Sequence, residues 1–151
     1  MAGGGGCRNW EQELRDSRAW LESEGLVLCK AHEYVGASQY AMGSALLGLG
    51  RFAEAAELTE AALRCLQTRY PRESIVLANE AAHCAALCAL ADRREDATRL
   101  ATAASECVRI HHGEGDALLA AIRGLLAAEG GGGLRHAARA VMELLAGEGE
   151  G

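Results

Sequence analysis

Sliding the chain against itself by 42 residues carries Arg51 onto Arg93, Ala55 onto Ala97, Leu58 onto Leu100, Ala61 onto Ala103, Ala62 onto Ala104 and Cys65 onto Cys107. Six identities in the fifteen positions from 51 to 65 exceed what the alanine content alone would give. The breaks shift in step, Gly50 onto Asp92 and Tyr70-Pro71 onto His112-Gly113. Self-similarity at a fixed period is the signature of a repeated supersecondary unit. The spacing inside the unit says which kind. Ala55 and Ala62, like Ala97 and Ala104, fall seven apart and so on one face of a helix. Small side chains there let a second helix lie close, with Gly43 opposite and Leu46, Phe52 and Leu58 filling the remaining space. One helical pair cannot bury both of its faces, so the units are expected to pack on one another.

Composition agrees. Half of the 151 residues are hydrophobic, only 4% are aromatic, and there is a single proline. That balance favours helix and excludes a sandwich or barrel, which needs a turn signal every few residues. The pattern predicts helices over about 10–22, 28–49, 52–67, 71–91, 92–110, 116–128 and 134–146. Gly50 is expected to cap the second, Pro71 to sit in the first turn of the fourth, and Asp92 with Glu95 to form a capping box for the fifth. Asp116 caps the sixth, and Gly130–Gly133 reads as an inter-helix loop. Residues 1–8 and 147–151 are glycine-rich and are expected to be flexible, leaving one domain over 9–146 with units at about 35–70, 77–112 and 116–146.

Charge and thiols narrow the function. Fifteen basic residues against twenty-one acidic give a net charge of −6, and Arg and Glu alternate as on solvated helix faces. A nucleic-acid partner would need a basic face, so none is expected. No run reaches the length of a membrane span. The N-terminus lacks the pattern of a signal peptide, so an intracellular chain, cytoplasmic or nuclear, is expected, with its six cysteines as thiols. Cys84 and Cys88 are four apart with His83 adjacent, a spacing that two metal ligands could use. No second pair lies at ligand distance, so core packing is the reading and no metal or cofactor is expected. His111-His112 suits the negative end of a helix dipole. The glycine run lacks the Gly-Lys-Ser/Thr of a phosphate loop. No catalytic residue is assigned.

The stretch Leu49-Gly50-Arg51-Phe52-Ala53-Glu54-Ala55, followed by Ala62, resembles the second half of a tetratricopeptide (TPR) repeat. At a period of 42 it is similar to the repeats of kinesin light chains and of the C-terminal helical domain of the SET- and MYND-domain protein-lysine methyltransferases. The second resemblance is favoured by running order: His32-Glu33-Tyr34-Val35-Gly36, Leu47-Gly48-Leu49-Gly50-Arg51-Phe52, Arg69-Tyr70-Pro71-Arg72-Glu73-Ser74-Ile75, Asn79-Glu80, Ala97 and Arg109-Ile110-His111-His112-Gly113. It covers about residues 28–125. The Asn-His motif and catalytic tyrosine region of a SET domain are missing, as are the paired Cys-x-x-Cys clusters of a MYND finger. The resemblance therefore implies the C-terminal module alone, from a truncated relative or a separate non-catalytic chain.

It also implies an all-α, right-handed stack of about three antiparallel hairpins that acts as a protein-interaction scaffold. In such stacks the first helix of each unit lines a concave groove, which here implies Tyr40, Ser44, Asn79, Ala82 and Ala86. These would face an apolar protein or peptide segment, unless neighbouring helices of the chain cover them. A chaperone C-terminal peptide is disfavoured, because Lys30 is the only lysine and Asn79 the only asparagine in the repeats.

Overall fold

The computed structural model describes residues 9–23, 46 and 48–150. Within them the chain is all-α: α1 (Trp10–Ser23), α2 (Phe52–Gln67), α3 (Ile75–Leu90), α4 (Arg94–His112), α5 (Ala117–Ala127) and α6 (Gly130–Glu150). None of these helices is long and apolar enough to cross a membrane.

Apolar periodicity decides which face each helix buries. On α2 the buried positions are Ala55, Ala56, Thr59, Ala62 and Leu63, and on α4 they are Ala97, Leu100, Ala101, Ala104 and Val108. Both sets follow the three-and-four spacing of one helical stripe. Helix α3 is different: eleven of its sixteen residues are buried, on every side. A helix apolar all round belongs inside, and α3 packs against α2, α4 and α6.

The short connections make α3–α4 and α5–α6 antiparallel hairpins. Contacts run α3 to α4, α4 to α5, α5 to α6 and α6 back to α3, a ring of four helices with α2 added against α3. It is thus α6, the second helix of the last hairpin, that lies on α3. The wall of first helices implied by the resemblance would have set α5 there.

The repeat extends into backbone geometry. Gly50 has φ +77° and Asp92, 42 residues on, has φ +60°. The Arg51 N–H donates to the Leu46 carbonyl at 2.8 Å, and the Arg93 N–H donates to the Cys88 carbonyl at the same 2.8 Å. These are the six-to-one bonds that close a helix through a left-handed residue. Each following helix then opens with an arginine–acid pair, Arg51–Glu54 at 2.7 Å and Arg93–Asp96 at 3.0 Å.

Three expected boundaries are corrected. Asp92 does not cap α4: it ends the turn after α3 in the left-handed region, and Arg93 precedes α4 without a side-chain cap bond. Pro71 does not enter the first turn of α3 but opens a turn before it, closed by the Ser74 N–H donating to the Pro71 carbonyl at 2.9 Å, and Ser74 caps the helix by accepting from the Val76 N–H at 3.2 Å. Gly130–Gly133 is no loop, for it forms the first turn of α6. The α3–α4 turn grips that glycine turn. Arg94 donates to the Ala128 carbonyl at 3.0 Å and the Gly130 carbonyl at 3.5 Å, while Arg135 pairs with Asp92 at 3.6 Å. The Asp116 cap is as expected, its Oδ2 accepting from the Leu119 N–H at 3.1 Å.

Helix α1 begins at a cap the sequence reading did not assign: Asn9 Oδ1 accepts from the Gln12 N–H at 3.0 Å. Leu14 reaches the core, and the Trp10 ring lies on Gly48 so closely that a Cβ there would overlap it.

Candidate functional site

Of the five residues expected to line a groove, Tyr40 and Ser44 lie outside the described residues. Ala82 and Ala86, on α3, are fully buried. Asn79 is half-buried, and its Oδ1 is buried with no hydrogen-bond partner among the described residues. Positions 82 and 86 are thus covered, which is the alternative the sequence allowed for them.

An open cavity lies elsewhere. It measures about 420 Å³ and runs between α2 and α4, the second helices of consecutive repeats, with α3 as its floor. Leu77, Ala78 and Ala81 form that floor, Leu63 and Gln67 one wall, Leu100, Ala103 and Ala104 the other. The width follows from residue size. Ala103 and Ala104 are too small to fill the space that Leu63 and Leu77 border, so α2 and α4 bridge over α3 without closing on each other. Tyr70, Arg72 and Arg99 complete the lining. Tyr70 is 39% exposed. The lining is apolar inside with two arginines, a composition typical of sites that hold an apolar anchor and orient it by a few polar groups.

Two sulfur and ring contacts fix the loop that carries Tyr70 and Arg72. The Cys107 thiol donates to the Glu73 carbonyl at 3.2 Å, and His111 Nε2–H donates to the same oxygen at 2.7 Å. His111 therefore anchors the α2–α3 connection, beyond any interaction with its own helix end. The sequence signal for the groove was present in the repeat itself: Ala103 is the exposed copy of Ala61, so the second unit leaves open a position that the first half-covers.

Buried polar groups on α3 have strongly displaced protonation. Burial raises the Glu80 carboxyl from 4.5 to about 7 and lowers His83 from 6.5 to about 4. Near neutrality His83 is uncharged and Glu80 is poised between its forms. Cys84 and Cys88 share a side-chain hydrogen bond that raises the first thiol, with burial adding to it, and lowers the second. Glu60 of α2 completes a cluster with these two sulfurs; its ligand atom and theirs all lie within 4.8 Å of one another. His83, adjacent in sequence, is not part of that cluster.

Comparison with protein-family models, curated proteins and solved structures finds no match for this chain.

Proposed function

We propose that this chain is a protein-interaction module that receives a short segment of a partner protein in the α2–α4 groove. The observation that carries the reading is the groove itself, about 420 Å³ with an apolar floor and Arg72 and Arg99 in its lining. A cavity of that size takes two or three side chains, which is the scale of an apolar anchor from a helix or extended strand. The arginines favour a segment with carboxylates flanking the anchor, because a guanidinium binds a carboxylate through two parallel N–H bonds. The resemblance to the C-terminal helical domain of the SET/MYND methyltransferases supports the same class of role, a non-catalytic scaffold that positions proteins.

Peptides selected from a displayed random library against the immobilised chain test it directly. The reading expects recovered peptides with an apolar core and acidic flanks, whose affinity falls at least about tenfold on Ala103→Trp, since the added ring occupies the groove and one lost anchor of this kind is worth over 1 kcal/mol. Ala103 is exposed, so the substitution leaves the circular dichroism spectrum unchanged. Peptides that bind Ala103→Trp as well as the parent chain would overturn the assignment.

A further inference from the structure

Behind the α2 wall, on the α2–α3 contact, lies a cluster that the groove does not use. Cys84 and Cys88 stand one turn apart on α3 and have no exposed surface. Glu60 meets them from α2, with all three ligand atoms within 4.8 Å of one another. The carboxylate is divided. Its Oε2 faces outward to Arg64 at 3.6 Å and Arg99 at 3.8 Å, whereas Oε1 is buried with no hydrogen-bond donor among the described residues. Across from it, Arg93 has a buried nitrogen, NH1, with no acceptor among the described residues, and its charge reaches Cys88. Buried polar atoms in folded proteins almost always have partners, so an orphaned acceptor and an orphaned donor around two thiols require an explanation. Packing of the cysteines as small hydrophobes supplies none.

We propose that Glu60, Cys84 and Cys88 bind a thiophilic divalent cation of the zinc class. The donor set of two sulfurs and one carboxylate oxygen selects a borderline-soft ion over magnesium or calcium, which take oxygen alone. Spacing of i and i+4 on a helix puts both sulfurs on one side of the ion, as it does for paired ligands in helical zinc sites. Zinc–sulfur and zinc–oxygen bonds of about 2.3 and 2.1 Å place tetrahedral ligand atoms roughly 3.5–3.8 Å apart. The three ligand atoms stand within 4.8 Å of one another, so coordination requires them to close to that spacing. Binding exchanges two thiol protons, released to solvent, for one metal ion; the ion gains two Zn–S bonds and one Zn–O bond to the Glu60 carboxylate. The resulting centre carries one net negative charge, which Arg93 and Arg99 border. Cys84 gives up a weak donation to the Ala56 carbonyl at 3.8 Å and the hydrogen bond it shares with Cys88. Three protein ligands leave a fourth position for water or an added ligand.

Cobalt(II) alone, titrated into the reduced chain, tests the site, because thiolate-to-cobalt charge transfer reports sulfur ligation and the visible bands report tetrahedral geometry. The expected result is a charge-transfer band that saturates at one equivalent and is displaced by zinc. Cys84→Ser with Cys88→Ser should abolish it, Cys107→Ser should leave it intact, and Glu60→Gln should weaken binding at least about tenfold. Glu60 is partly exposed, so its substitution keeps the test valid if the cysteine pair proves necessary for folding. Absence of the band, its survival in the double serine variant, or unchanged affinity in Glu60→Gln would each overturn the proposal.

Discussion

Asp92 holds the backbone conformation that Gly50 holds one repeat earlier, φ +60° against φ +77°, and each passes its chain to an arginine whose N–H closes the preceding helix. The turn has been kept while the residue best suited to it has not. Aspartate tolerates the left-handed region better than most residues, yet only glycine enters it freely.

Replacing Asp92 by glycine should therefore stabilise the protein by up to about 1 kcal/mol, the relief of the left-handed conformation exceeding the weak exposed pair with Arg135. Asp92→Val should cost about 2 kcal/mol, since a β-branched residue is most strained there. Urea unfolding midpoints measure both. A glycine variant less stable than the parent would show that the Asp92 side chain, not its backbone, matters.

Gly48 and Trp10 give a prediction whose sign is diagnostic. Alanine for glycine in a helix ordinarily stabilises by about 0.5–1 kcal/mol. Here the new Cβ meets the indole ring, so Gly48→Ala should destabilise by about 1–3 kcal/mol and release α1. Amide exchange over α1 should quicken. In a Trp10→Ala background the same substitution should turn neutral or favourable, and a double-mutant cycle reads the coupling.

Ala55 and Ala97 occupy the same repeat position and are both buried. Ala55→Leu and Ala97→Leu should each cost about 1–3 kcal/mol by overpacking. Ala103→Leu, at an exposed position in the groove, should stay within about 0.5 kcal/mol. Denaturant titration of the three variants compares them; equal effects would break the correspondence between repeat register and packing.

Glu80 and His83 pull stability in opposite directions with pH. Glu80 is raised from 4.5 to about 7, so the folded state binds its proton more tightly and stability falls as pH rises through that window. His83 is lowered from 6.5 to about 4, so the unfolded state binds more protons and stability falls as pH drops from 6.5 toward 4. The two largely cancel in the parent chain. Glu80→Gln should expose the histidine dependence, with about 2–3 kcal/mol lost on acidification from pH 6.5 to 4, and His83→Gln should expose the reverse slope. Thermal melts across pH 4–7.5 resolve them. A parent and variants with parallel profiles would refute the opposition.

How much of this was legible in the sequence varied with the physics involved. The helices within the described residues and the shared face of Ala55, Ala62, Ala97 and Ala104 were, because periodicity and side-chain size act locally; the helix expected over 28–49 lies almost wholly outside the described residues. Asp92 was misread because aspartate serves equally as an N-cap and as a left-handed residue, and the six-to-one bond to Cys88 that decides between them is invisible in a string of letters. Gly130–Gly133 was misread because glycine is among the poorest helix formers. There Arg94, thirty-odd positions upstream, donates to the Ala128 and Gly130 carbonyls, a long-range contact that the local sequence does not show. The groove was expected among the first helices, at Tyr40, Ser44, Asn79, Ala82 and Ala86, of which Ala82 and Ala86 are buried. Whether α3 keeps a face open depends on which helix of the last hairpin covers it, and both α5 and α6 carry an apolar face that could do so. Glu60 joined the thiol cluster by the same kind of long-range placement.

The return of α6 to α3 changes what kind of object this is. An open array grows like a spiral staircase, each step resting on the one before, and it can be lengthened or shortened by whole steps at modest expense. Once the last step folds back onto the newel, the ring shares one strut, and that strut is α3. Loosening α2, α4 or α6 uncovers the same helix. Melting should accordingly proceed as a single event, and a hairpin grafted after α6 would find its natural seat already taken.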